Sequence, residues 1–166
     1  MVTLAIVVIS GLVYVLMRDP FAAPPVRSIL ITEFDNHTGE PVFDRILRRS
    51  AIIQLSQSPA FRIVSDDTIA STLRLMRPSA EVELSAEYGR EACIREGADA
   101  VLQGQVDRVG RRYLVSMQAV ACQSGEHLAS VAAQADEPGA LLDAMSREMN
   151  KLRAKLGESM RSISSQ

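Results

Sequence analysis

Polarity along this chain changes in blocks, and each block has a period. Residues 1–17 carry no charge, placing Val2, Leu4, Ile6, Val7, Val8, Ile9, Leu12, Val13, Val15 and Leu16 in one run that stops at Arg18 and Asp19. A bilayer-spanning helix needs about twenty apolar residues and tolerates roughly seventeen. The run therefore predicts a short transmembrane anchor over 1–19. A cleaved signal peptide is the alternative, but no Lys or Arg precedes the run and no small-x-small site follows it before Phe21 and Pro24. Arg18 and Arg27 on the downstream side weakly favour the opposite orientation under the positive-inside rule, so the orientation stays open. Residues 20–27 hold Pro24 and Pro25, which lack N–H donors and favour extended backbone, and read as a Pro/Ala linker.

From Ser28 the pattern is that of a folded domain. Ser28–Phe34 is a short, β-rich apolar run with the composition of an interior strand. Asp35, Asn36, His37, Thr38, Gly39, Glu40 and Pro41 are turn formers and predict a loop at its carboxyl end. Phe43, Ile46, Leu47, Ala51 and Leu55 then recur at helical spacing, with Arg45, Arg48, Arg49 and Gln54 on the opposite face. Pro59 ends that helix. Phe61–Val64 reads as a brief strand, and Ser65, Asp66 and Asp67 as N-cap residues for a helix through Met76. A further helix opens near Ser85 and closes at Gly97, with Tyr88, Ala92 and Cys93 inward. Three strands follow, over 100–108, 113–121 and 128–135, joined by turns short enough for an antiparallel meander. A last helix runs from Pro138 to about Met160 on a stripe of Leu141, Met145, Met149, Leu152 and Leu156; a heptad-like coiled coil is the alternative. Residues 159–166 are polar and serine-rich, as a linker is.

The expected class is α/β (α+β): a mixed sheet of about five strands packed against helices in the order β-α-β-α-α-β-β-β-α, preceded by one transmembrane helix. The domain spans 28–158. Hydrophobic residues make up 47% of 166 positions and charged residues 23%, a balance that supports one core. The net charge of −2 and pI near 5.7 give no general attraction to nucleic acid. Trp is absent and aromatics are scarce, which disfavours stacking platforms.

Few residues carry candidate chemistry. Cys93 and Cys122 are the only cysteines. An even count outside the cytoplasm makes a disulfide the first expectation, with two buried free thiols as the alternative. His37, His127 and the cysteines lack the paired short spacing of a zinc site. No Gly-x-Ser-x-Gly elbow, phosphate loop or kinase motif occurs, so no catalytic residue, cofactor or metal is assigned. A hydrolytic site would require Asp35, His37 and Asp99 to converge. The Asp35, Asn36, His37, Thr38 loop is the best candidate contact surface, because ligands of open α/β sheets sit where strands meet following helices.

Phe34-Asp35-Asn36 with Thr38-Gly39-Glu40-Pro41, then Gly97 through Gly104, then Ser124-Gly125-Glu126-His127-Leu128, together resemble the TolB amino-terminal-like domain over residues 27–162. In that family such domains follow a transmembrane helix in bacterial serine/threonine kinases and winged-helix regulators with tetratricopeptide repeats. The resemblance implies a non-catalytic sensory or protein-interaction domain, outside the inner membrane of a bacterium, in the periplasm or extracellular space. Its partners would be cell-envelope proteins, with possible self-association, and the membrane through residues 1–19. The alternative is a structural subunit of an envelope or surface assembly.

Overall fold

The computed structural model describes residues 26–76 and 84–158. The expected anchor, most of the linker, and the 159–166 segment lie outside them, and no helix among the described residues is long and apolar enough to cross a membrane. The elements are β1 (Ser28–His37), α1 (Phe43–Ser56), β2 (Arg62–Ile63), α2 (Asp66–Met76), α3 (Ala86–Arg95), β3 (Ala100–Val109), β4 (Arg112–Ala121), β5 (His127–Ala135) and α4 (Pro138–Lys155). Their order is the expected one.

The strands form one sheet in the order β2-β1-β3-β4-β5. The helical crossovers make β1 parallel to both β2 and β3, while the short turns at Gly110 and Gly125, both at positive φ, make β3-β4-β5 antiparallel. One face carries α1 and α4. Their stripes Phe43, Leu47, Ala51, Leu55 and Leu141, Met145, Met149, Leu152 close over Ile29, Ile31, Leu102, Val106, Val115 and Met117. The other face carries α2 and α3 over β1 and β3, with a smaller core of Leu30, Val64, Ile69, Leu73, Ala92 and Val101 that Val120 at the end of β4 packs against. Beyond them, Gln103, Ser116, Gln118 and Ser130 line an open concavity of about 450 Å³, the solvated side expected of an antiparallel sheet.

A bulge in β1 sets the geometry of its end. Ile31 pairs with Leu102 but Phe34 pairs with Gly104, so Thr32 and Glu33 together oppose Gln103. Both Ile31 and Phe34 then face α1 and α4. Phe34 lies where a side chain on residue 104 would be, its ring carbon 2.2 Å from an ideal Cβ there. On the other face Thr32 occupies the corresponding space beside Gly89, 2.3 Å from its ideal Cβ, which lets α3 sit close on the sheet.

Three expectations about the elements require correction. Strand β1 continues through Asp35, Asn36 and His37, which pair with Gln105, Val106 and Asp107. The long partner strand supplies ladder hydrogen bonds that outweigh the turn propensity of Asp and Asn, and the turn begins only at Thr38 and Gly39. Ile46, expected on the inner stripe of α1, is 37% exposed, because it falls about a third of a turn from the centre of the buried face. On α3 the inward face is the expected one, Ala92 and Cys93 being buried and Tyr88 packed half-buried against the same core, with Gly89 buried beside it. Finally, α4 ends at Lys155, where Gly157 at φ 101° turns the chain and Glu158 folds back onto Arg153.

Cys93 and Cys122 are disulfide-bonded, tying α3 to the end of β4, and both are fully buried. At the start of β1, Asp99 Oδ2 accepts hydrogen bonds from the Arg27 amide (2.9 Å), the Ser28 amide (2.8 Å) and the Ser28 hydroxyl (2.9 Å).

Candidate interaction site

At the carboxyl ends of β1 and β2 the chain departs to opposite faces, into α1 from β1 and into α2 from β2. The ends diverge there and leave a crevice, the place where open α/β sheets bind ligands. It encloses about 900 Å³ and is lined by Glu33, Asp35 and Asn36 of β1, Asp44, Arg45 and Arg48 of α1, Asp66 and Ile69 of α2, and Leu84 and Ser85 ahead of α3. Four carboxylates and two guanidinium groups thus share one rim.

The crevice is held open by side chains that work on the backbone. Arg48 was expected on the solvent face of its helix. Instead it folds over the sheet end, with its side chain 13% exposed, donates from Nε to the Ile31 carbonyl (3.1 Å), and pairs with Asp66 at 2.5 Å and Glu33 at 3.4 Å. The bulge is what brings Glu33 to this position. On the β1 side Asn36 is the organiser. Its Oδ1 accepts the Thr38 amide (3.0 Å) and hydroxyl (2.7 Å), and its Nδ2 donates to the Glu40 carbonyl (2.9 Å) and to Asp44 Oδ1 (2.6 Å). Such bonds define the turn chemistry of Asn and fix where α1 starts. Thr38 Oγ1 in turn accepts the Glu40 amide at 3.0 Å.

Glu40 fastens the turn to the meander. It accepts hydrogen bonds from the Tyr113 hydroxyl and from Arg108 Nη1 (2.9 Å), while Tyr113 packs against Phe43 with ring centroids 5.3 Å apart. The hydrogen bond to the Glu40 carboxylate, with some burial, raises the Tyr113 phenol above its ordinary value.

The four residues singled out in the sequence therefore divide into two pairs. Asn36 and Thr38 are spent on shaping the turn. Asp35 and His37 are exposed on the side of the sheet that carries α2 and α3; Asp35 borders both the crevice and the open concavity, and His37 Nδ1 lies 2.9 Å from Asp107 Oδ1. Asp99 is at the opposite end of the sheet. Ala100 pairs with Ile29 whereas Asp107 pairs with His37, and seven rungs amount to roughly 23 Å. Asp35, His37 and Asp99 do not form a joint site. Glu33, Arg45, Arg48 and Asp66 reach the crevice only through the bulge and the topology; the sequence marks the arginines as the polar face of a helix and Asp66 as a cap, and nothing local joins them in one site. Among the described residues no three His, Cys, Asp or Glu side chains converge in a metal-holding arrangement.

No family profile matches this sequence, and no curated protein matches it. Solved structures are similar to it in fold. The LpoB C-terminal domain from Salmonella enterica superimposes with a TM-score of 0.61 at 16% identity, covering 74% of this chain and 92% of that one. Lipoprotein GNA1162 from Neisseria meningitidis gives 0.57 at 20% identity, covering 75% and 95%. TolB from Acinetobacter baumannii gives 0.53 at 16% identity, covering 82% of this chain and 30% of TolB. The mixed five-stranded sheet with helices on both faces is thus a TolB-like and LpoB-like fold.

Proposed function

We propose that this chain is a non-catalytic protein-interaction domain of the bacterial cell envelope, tethered by residues 1–19 and belonging to a larger signalling protein, with the β1/β2 crevice as its contact site. The observation that carries the reading is the crevice itself: a concave, mixed-charge rim whose shape is fixed in advance by Asn36 and Arg48. Preorganisation of this kind lowers the ordering cost of binding a polar protein segment. The buried disulfide suits an oxidising compartment, and the similarity in fold to a lipoprotein, GNA1162, supports an envelope setting. The resemblance to TolB amino-terminal-like domains of transmembrane kinases and regulators supports the signalling context.

Site-specific photo-crosslinking in cells tests the contact. A crosslinker at Ala70, an exposed α2 residue that also lines the crevice, should capture a defined envelope protein, and Asp35→Lys should abolish the capture while thermal unfolding stays unchanged. Equal capture by Asp35→Lys would overturn the site. Retention in the membrane pellet after alkaline extraction, lost when residues 1–19 are deleted, checks the tether.

A further inference from the structure

Helix α1 is apolar on two opposite sides. Its inner side, Phe43, Leu47, Ala51 and Leu55, is buried in the core. At about 3.6 residues per turn, Val42, Ile46, Arg49 and Ile53 form a single stripe pointing the other way, with Val42 54%, Ile46 37% and Ile53 53% exposed. Isolated exposed aliphatics are ordinary on a protein surface. These three are not isolated: the stripe steps by four, three and four residues, the a/d spacing of a helix-pairing seam, with Ile46 and Ile53 both at a and Arg45 at g.

The charge on this face has one sign. Arg45 and Arg49 are exposed, and among the described residues neither side chain makes an ion pair or hydrogen bond. Arg48 is engaged with Ile31, Glu33 and Asp66, and the helix's sole carboxylate, Asp44, is bonded to Asn36. The stripe is therefore apolar and cationic with no acid of its own.

We propose that the outer stripe of α1 is a docking seam for an acidic amphipathic helix of a partner protein. The proposal rests on reading the domain as a protein-binding module, but it uses a different face from the crevice and shares only Arg45 with its rim. Charge selects the occupant. A second copy packed in parallel about a two-fold axis would bring Arg49 against Arg49, and an antiparallel copy would add further arginines to the seam with no free carboxylate to meet them. An anionic bilayer would satisfy the arginines, but three aliphatic side chains without an aromatic give a surface helix little to insert. A helix with an aliphatic seam and carboxylates at its e and g positions satisfies both features together.

The test is a selection on the full chain in mild detergent, using displayed amphipathic helices of fixed aliphatic seam whose e and g positions are drawn equally from Glu, Lys and Gln. Glu-rich helices should be enriched. Ile46→Ser with Ile53→Ser should weaken their binding on the order of tenfold, and Ile53→Ser alone, at a side chain 53% exposed, should weaken it with unchanged melting. Arg45→Glu with Arg49→Glu should reverse the enrichment to Lys-rich helices, and Asp35→Lys should leave it unaltered, which separates this surface from the crevice. No enrichment, equal enrichment of all three, or binding indifferent to the α1 substitutions would overturn the proposal. So would a concentration-dependent dimer abolished by Ile53→Ser, or a dye on Ile53→Cys that shifts blue on anionic nanodiscs with no helix added.

Discussion

Gly104 and Phe34 form one unit at the residue scale. The buried ring fills the space over the glycine, so Gly104→Ala forces Phe34 out of its place in the core. Overpacking of this kind costs about 1–3 kcal/mol, which urea denaturation would read as a lower midpoint at unchanged slope. Asp99 acts at the opposite end of β1. Burial alone would raise its carboxyl, but the amides of Arg27 and Ser28, the Ser28 hydroxyl and the Arg27 charge together hold it below its ordinary value of 3.8. A folded value below the unfolded one means that its contribution is present above about pH 4 and is lost as pH falls through the folded value. Asp99→Asn should therefore lower stability at pH 7 and flatten the acid limb of the stability curve below pH 4, measured by chemical denaturation across pH 2–7.

At the scale of elements, two fastenings lie outside the sheet ladder. The disulfide joins α3 to the end of β4 across a sequence separation of 29. Closing such a loop restricts the unfolded chain by about 3.5 kcal/mol in the chain-entropy model. Cys93→Ala with Cys122→Ala should lose that order of stability, and reductant should lower the melting temperature of the parent chain but not of the double variant. The carboxyl end of α4 is fixed by Arg153 and Glu158, whose side chains are 3% and 1% exposed and meet through two contacts of 2.5 and 2.7 Å. Removing Arg153 takes two charge-assisted hydrogen bonds from the buried Glu158 carboxylate. Arg153→Met should cost about 3–5 kcal/mol, whereas Arg153→Met with Glu158→Leu should recover much of it; a double-mutant cycle from denaturation curves checks this.

On the scale of the whole molecule, support is unequal across the sheet. Strand β3 is paired along most of its length on both sides, β2 contributes two residues, and β5 is an edge whose Ser130 carbonyl accepts from Lys155 at 2.8 Å. Amide exchange should be slowest in β1 and β3 and fastest along β5. By itself the sequence determined the kind and order of the elements, because hydrophobic period is a local property: the stripe of α4 and the alternation in β3 and β4 are visible residue by residue. The compartment reading and the cysteine pairing began there too. Only the tertiary structure decided where β1 ends, since the ladder with β3 lies some seventy residues away along the chain. It also turned Glu33 into the crevice through a bulge that no period reveals, drew Arg48 inward and left Ile46 outside. A helical repeat gives the angle between side chains but not which angle the core will cover; that choice comes from how α1 packs against the sheet and α4.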